Sequence, residues 1–212
     1  MRRPSYFVVG VLAAGLIAAC AYVYRVPLGL TGPAGNREGV LWDRSNSGLL
    51  PAQIRWQKID RPSDGFALEM PAGSEVIQIP AYDRQGLAEP VNMIQASIDP
   101  ATTYAVTWAD NPPVKRAGPE NPDKTLDAAR SGALIRTQST LTAESRSSLA
   151  GYPARDFSGR NFDGGVFNAR LILAGNRLYM LIAAFPASSA RRDEDVKRFF
   201  DSFVITPSSR RN

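Results

Sequence analysis

Tyr6 to Tyr24 is a run of 19 uncharged, mostly apolar residues, and it constrains the chain more than any other stretch. At about 1.5 Å per residue a helix of that length reaches about 28 Å, close to the ~30 Å hydrocarbon core of a bilayer. The run therefore reads as a single transmembrane helix and divides residues 1–25, a signal anchor, from all that follows. Arg2 and Arg3 precede it and only Arg25 follows directly. The positive-inside tendency then puts the N-terminus in the cytoplasm and the remainder across the membrane. Tyr6 and Phe7 at one end, with Tyr22 and Tyr24 at the other, suit the two headgroup levels. Gly10 and Gly15 stand four residues before Ala14 and Ala19, a spacing that lets another membrane helix approach closely.

A second reading of the same residues stays open. Leu16-Ile17-Ala18-Ala19-Cys20 resembles a bacterial lipobox, in which small residues precede a Cys that is acylated and becomes the mature N-terminus. Cys20 is the chain's one cysteine. Against lipidation, Ala21-Tyr22-Val23-Tyr24 continues the apolar run, where a lipid-anchored chain ordinarily turns polar. A retained anchor in the bacterial inner membrane is the expectation, a lipoprotein the alternative, and a cleaved soluble product the third outcome.

Residues 26–51 are dense in Gly and Pro, which break helices and interrupt strands, so they read as a linker. Val40, Leu41 and Trp42 stand out in it as apolar side chains that pack either on the chain's own domain or on a partner. Beyond the linker, residues 52–206 read as one folded domain and residues 207–212 as a basic tail. Period-two alternation marks strands at Trp56–Ile59, Phe66–Met70, Val91–Ile98, Thr103–Trp108, Ser139–Arg146, Ala154–Asn161, Val166–Leu173 and Arg177–Phe185. The last four form a meander. Turn residues separate them at Pro62-Ser63-Asp64-Gly65, Gly151-Tyr152-Pro153, Asp163-Gly164-Gly165 and Gly175-Asn176.

Two helices complete the pattern. Leu126, Ala129, Ala133 and Leu134 share a face over 126–136. In the second helix Val196, Phe199, Phe200 and Phe203 repeat at helical spacing behind an acidic start, Asp193-Glu194-Asp195, with Ser188 or Ser189 as cap. Strands in runs with separate helices give an α+β domain, an antiparallel sheet packed by two or more helices.

The chemical vocabulary is small. The chain has no histidine, which removes imidazole acid–base catalysis, His metal ligands and Cys/His pairs. One cysteine excludes an intrachain disulfide. The net charge of +5 comes from 25 basic residues spread along the chain. No basic helix or RNA-binding motif gathers them, so a nucleic-acid partner is not expected. Asp156, Ser158, Asn161 and Asp163 do not match a Ca²⁺ loop and read as a hairpin turn. Ser147-Ser148 and Ser188-Ser189 lack any base and read as turn and cap residues. Trp42, Trp56, Trp108, Tyr82 and Tyr104 read as core rather than as a ligand pocket. No metal, cofactor or catalytic residue is expected.

Asp64-Gly65-Phe66-Ala67-Leu68-Glu69-Met70-Pro71, Tyr104-Ala105-Val106-Thr107-Trp108-Ala109-Asp110, Arg177-Leu178-Tyr179-Met180-Leu181 and Phe199-Phe200-Asp201-Ser202-Phe203 resemble the PsbP-like superfamily over roughly residues 55 to 205. That family includes extrinsic subunits of photosystem II, Ran-binding Mog proteins and many anchored bacterial proteins. The resemblance implies an antiparallel sheet sandwiched by helices, an α/β/α arrangement. The metal-binding histidines of some relatives have no counterpart here. Together with the apolar span and linker, the resemblance points to a non-catalytic, membrane-anchored periplasmic accessory or assembly subunit of an integral membrane complex, photosynthetic or respiratory. A periplasmic solute- or lipid-binding module is the alternative.

The apolar continuation past Cys20 generates a first prediction. Intact mass spectrometry of the mature protein should show Cys20 free of acyl groups and not N-terminal. A chain starting at Cys20 with added acyl mass overturns the retained anchor.

Overall fold

The computed structural model describes residues 54–79, 91–99, 102–110, 121–186 and 193–206. The anchor and its residues Tyr6, Phe7, Gly10, Gly15, Cys20, Tyr22 and Tyr24, the linker residues Val40, Leu41 and Trp42, and Tyr82, Ser188 and Ser189 lie outside them. Among the described residues no helix is long and apolar enough to cross a membrane.

The elements in order are β1 (Trp56–Arg61), β2 (Phe66–Pro71), β3 (Glu75–Ile79), β4 (Val91–Asp99), β5 (Thr102–Asp110), α1 (Pro122–Arg136), β6 (Ser139–Leu149), β7 (Tyr152–Asn161), β8 (Val166–Ala174), β9 (Arg177–Phe185), α2 (Asp193–Asp201) and β10 (Val204–Ile205). Seven strands form one antiparallel sheet in the order β3-β4-β5-β9-β8-β7-β6, and β1-β2-β10 form a second. All eight strands and both helices read from the sequence are present.

Both faces of the central strands are covered, and this follows from their sequences. Tyr104, Val106 and Trp108 of β5 and Tyr179, Leu181 and Ala183 of β9 feed one core, together with Phe66, Leu68 and Met70 of β2 and Val196, Phe199 and Phe200 of α2. The alternate residues Ala105, Leu178, Met180 and Ile182 feed the other core, against Leu126, Ala129 and Ala133 of α1. A strand buried on both sides reads as continuous apolar sequence, as Leu178-Tyr179-Met180-Leu181-Ile182-Ala183 does. The sheet is thus sandwiched between α1 on one face and α2 with the small sheet on the other.

Local signals explain most boundaries. Asp64 N–H donates to the Arg61 carbonyl at 3.0 Å in the β1–β2 turn, and Gly65 closes that turn with φ +76°. A Cβ there would come within 3.0 Å of the Tyr179 hydroxyl. α1 starts four residues earlier than the sequence reading, because Asn121 Oδ1 accepts from Asp123 N–H at 3.0 Å and Pro122 occupies the first turn. α2 ends at Asp201, and Phe203 still enters the core just beyond it.

Two strands are added to the sequence reading and three expectations are corrected. β3 and β10 carry no periodic signal of their own: β3 exposes Val76 and is held by pairing with β4, while β10 has two residues. Ser147 and Ser148 are strand residues of β6, opposite Ala154 and Pro153. The hairpin turn falls on Ala150 and Gly151, both with positive φ, leaving Tyr152 and Pro153 in β7. Two-residue hairpin loops need that left-handed pair to match strand twist. Asp156 and Ser158 lie within β7, away from the turn at Asn161 to Gly165. Cross-strand partners there, which local sequence does not reveal, give them their role.

Phe199 is fully buried and meets Tyr104 edge to face at 5.3 Å. Phe199→Ala should therefore cost about 3–5 kcal/mol in denaturant unfolding. A cost under about 1 kcal/mol would mean that the α2 stripe does not pack on the sheet.

Candidate functional site

β7 and β8 place polar residues at every second position on the face away from α1: Asp156 and Ser158 opposite Arg170 and Asn168. Next to them on that face, Ala154 and Ile172 are buried in the core shared with the small sheet, whereas these polar positions are half-buried. With Ala143 and Ser145 of β6 they floor a groove of about 560 Å³ whose wall is α2, through Val196, Lys197, Phe200 and Asp201. Two cross-strand bonds organise the floor. Ser158 Oγ donates to Asn168 Oδ1 at 2.6 Å, and Arg170 Nε donates to Asp156 Oδ1 at 2.6 Å.

Arg170 also joins floor to wall. Its Nη1 donates to the Phe200 carbonyl at 3.2 Å, stands 3.8 Å from Asp201, and its guanidinium lies 5.2 Å from the Phe200 ring centroid. Asp201 in turn pairs with Lys197. A planar guanidinium can satisfy a carboxylate, a helix carbonyl and an aromatic face together. The groove thus presents a mixed donor and acceptor surface over an apolar margin. Its one bonded hydroxyl, Ser158, donates to an amide oxygen, which cannot serve as a general base.

On the opposite face Arg155 is buried within a ring of acids. Its Nη2 donates to Asp123 Oδ1 at 2.7 Å, and its Nη1 donates to Glu144 Oε1 at 2.8 Å and to Asp127. Arg130 Nη1 lies 2.6 Å from each Glu144 oxygen. Asp123 and Asp127 are one helical turn apart on α1, so the cluster ties α1 to β6 and β7. Burial opposes the charge of Glu144, but hydrogen bonds from Arg130 and Arg155 outweigh it and hold its carboxyl below the usual range. Burial likewise opposes the charge of Arg155, and its bonds to Glu144 and Asp127 reverse that effect and raise it.

A third charged locus closes the far end of the sheet. Arg177 Nε and Nη2 donate to the two oxygens of Asp110 at 2.5 and 2.7 Å, and Nη1 donates to the Asp64 carbonyl at 2.6 Å. The hydrogen bond to Asp110 raises the Arg177 pKa above its ordinary value, against desolvation. Tyr179 donates its hydroxyl to the same Asp64 carbonyl at 2.9 Å. Burial raises its pKa, against the lowering effect of Arg177. These residues border a wide depression of about 840 Å³ with Asn176, Tyr152 and Thr206.

None of the residues singled out as anchor, lipidation or partner contacts falls among those described. The aromatics Tyr104 and Trp108 are buried in the core, and Trp56 packs against it, as expected. Arg155, Arg170 and Asn168 were missed. A signal existed for β8, where Asn168 and Arg170 alternate with Phe167, Ala169 and Leu171 and announce one solvated face.

The chain matches no protein-family model and no curated protein. Among solved structures it resembles the cyanobacterial PsbP protein of Synechocystis, with a TM-score of 0.50, 14% identity, and coverage of 82% of this chain and 99% of that one. Looser likenesses are a Pseudomonas aeruginosa protein of unknown function, TM-score 0.40, 14% identity, covering 66% and 92% of the two chains, and a Bacteroides thetaiotaomicron protein, TM-score 0.36, 9% identity, covering 73% and 50%. The first supports a PsbP-like fold, an antiparallel sheet sandwiched by helices.

The acid cluster generates a pH prediction. Because the folded pKa of Glu144 is depressed, its contribution is present above the unfolded value of about 4.3 and is lost as pH falls through the folded value. Thermal melts should therefore show stability dropping below about pH 4.3, and Glu144→Gln should make that acid limb shallower. Arg155→Ala should cost about 1–3 kcal/mol at neutral pH, since its acidic partners are partly solvated. An unchanged acid limb in Glu144→Gln removes Glu144 as its source.

Proposed function

We propose that this chain is a non-catalytic, membrane-tethered accessory subunit that serves a larger integral membrane complex from the periplasmic side of a bacterial inner membrane. The observation that carries this reading is the uncharged apolar run Tyr6–Tyr24 ahead of a domain whose charges brace its own frame. Arg155, Arg170 and Arg177 each bond carboxylates or carbonyls that link one element to another. The PsbP-like fold agrees with an accessory role, and the photosynthetic or respiratory character of the complex belongs to the same proposal.

In this reading the anchor and linker make the attachment. Gly10 and Gly15 let a partner helix approach, and Trp42 with Val40 and Leu41 adds apolar contact of the kind that dominates binding energy. Tethering raises the local concentration of the domain, so weak contacts of its surface are occupied as well. The groove beside α2 favours the second reading, a periplasmic solute- or lipid-binding module, because it offers both polar groups and the Phe200 and Val196 side chains.

Two measurements separate these. Protease added to intact spheroplasts should remove the domain while leaving the anchor in the membrane fraction. After gentle detergent extraction, Gly10→Leu/Gly15→Leu and Trp42→Ala should each recover at least fivefold less of the co-purifying membrane complex, taking roughly 1 kcal/mol as the loss per contact. Equal recovery by all variants refutes attachment through anchor and linker. Loss of recovery on Arg170→Ala alone, or a small molecule released on denaturing the native protein, supports the groove reading.

A further inference from the structure

β6 is the last strand of the seven-stranded sheet on its side among the described residues. It is eleven residues long, exposed from Thr140 to Ser148, and contains neither Pro nor Lys. Edge strands that avoid pairing with other chains are usually short or carry Lys, Pro, inward charges or a bulge, because a free edge presents a row of unpaired N–H and C=O groups; the one irregularity of β6, between Leu141 and Ala143, leaves the stretch from Ala143 onward regular. β6 carries two charges, Glu144 and Arg146. They are opposite in sign and two residues apart, so they share one face of the strand.

We propose that β6 is an interface for a second copy of this chain, the two β6 strands pairing antiparallel about a two-fold axis normal to the sheet at Ser145. The charge pattern selects this register. With the axis at Ser145, Glu144 faces Arg146 of the second copy and Arg146 faces its Glu144, so each Arg146 joins a carboxylate that already accepts from Arg130 and Arg155 of its own chain. An axis at Glu144 would set Glu144 against itself, and an axis at Arg146 would set Arg146 against itself. A one-residue slip is excluded for this axis because it would pair residues from opposite faces.

Four further observations fit. The irregularity between Leu141 and Ala143 leaves a straight stretch from Ala143 onward, and the two-fold uses Ala143 to Ser147, wholly within it. Ala143, Ser145 and Ser147 share the face away from α1, so the side chains meeting at the axis are small. α1 lies across β6, β7 and β8. The two copies of α1 then stand three strand spacings apart, about 14 Å, wider than the 8–10 Å of packed helices. Arg146 is exposed and only loosely engaged, 3.6 Å from Asp123, so it is free to turn to the second copy. The product is one continuous sheet in which the grooves of the two copies lie on the same face.

The test is a disulfide cross-link in the purified full-length chain in detergent with Cys20→Ser. At the axis the two Cα atoms of position 145 fall about 4.5–5.5 Å apart, inside the span a disulfide accepts. Ser145→Cys should therefore oxidise to a dimer, while Thr140→Cys, placed about 34 Å from its symmetry mate, should not. Adding Arg146→Glu to Ser145→Cys should weaken dimerisation about tenfold, since both cross-strand pairs become repulsive. In the unmodified chain, hydrogen exchange of residues 139–149 should slow as protein concentration rises. Equal cross-linking at both positions, or no dimer at position 145, overturns the proposal. So does slow exchange at every concentration, the sign that another part of the same chain covers β6.

Discussion

The ring cluster headed by Phe66 is the contact on which the rest of the architecture depends. Phe66 meets Trp108 at 5.0 Å and Tyr179 at 5.8 Å, both edge to face, and stacks on Phe203 at 5.6 Å. These rings come from four separate places in the chain: β2, β5, β9 and the segment following α2. Their packing turns a sheet and an appended ribbon into two layers with a shared dry interior. Aromatic pairs of this geometry add to the area they bury. The polar edge of the cluster is closed as well, for Trp108 Nε1 donates to Asp64 Oδ1 at 3.2 Å and Tyr179 reaches the Asp64 carbonyl.

Arginine does for the periphery what the rings do for the centre. With no histidine and 4 lysines among 25 basic residues, nearly every cation is a guanidinium, which can hold several acceptors at fixed angles. Arg155 ties α1 to β6 and β7, Arg170 ties β8 to α2, and Arg177 ties β9 to β5 and the β1–β2 turn. Each brace engages carboxylates or carbonyls, and no group of acids that could hold a metal occurs among the described residues. With its charges spent on the frame, the domain leaves the α2 groove and the β6 edge as its open surfaces.

Those surfaces differ in how readily sequence discloses them. The groove is announced in part by alternation in β8, but its depth comes from α2, whose position depends on Phe199 and Phe200 seating among rings contributed from far upstream. β6 is harder to read. Alternation marks it as a strand only from Ser139 to Arg146, and the small, polar Ser147-Ser148 reads as a turn although it continues the strand. Its strand conformation is imposed by ten residues of β7 paired beside it, through a tight turn at Ala150 and Gly151.

By itself the sequence determined the class of the fold and the inner face of nearly every element. Period-two runs and the Val196, Phe199, Phe200, Phe203 stripe encode burial locally, because burial has the same period as the backbone that carries it. Histidine content and cysteine count also set the chemical limits without reference to shape. Tertiary structure alone decided that the strands divide into two sheets, that β3 and β10 exist, and that Asp156 and Ser158 serve a groove rather than a turn. It likewise placed Arg155 in a ring of acids drawn from α1 and β6. Those outcomes depend on pairings across long separations, such as Arg170 with Phe200 and Phe66 with Phe203. No local period records such a pairing, because its free energy arises only when both partners are already in place.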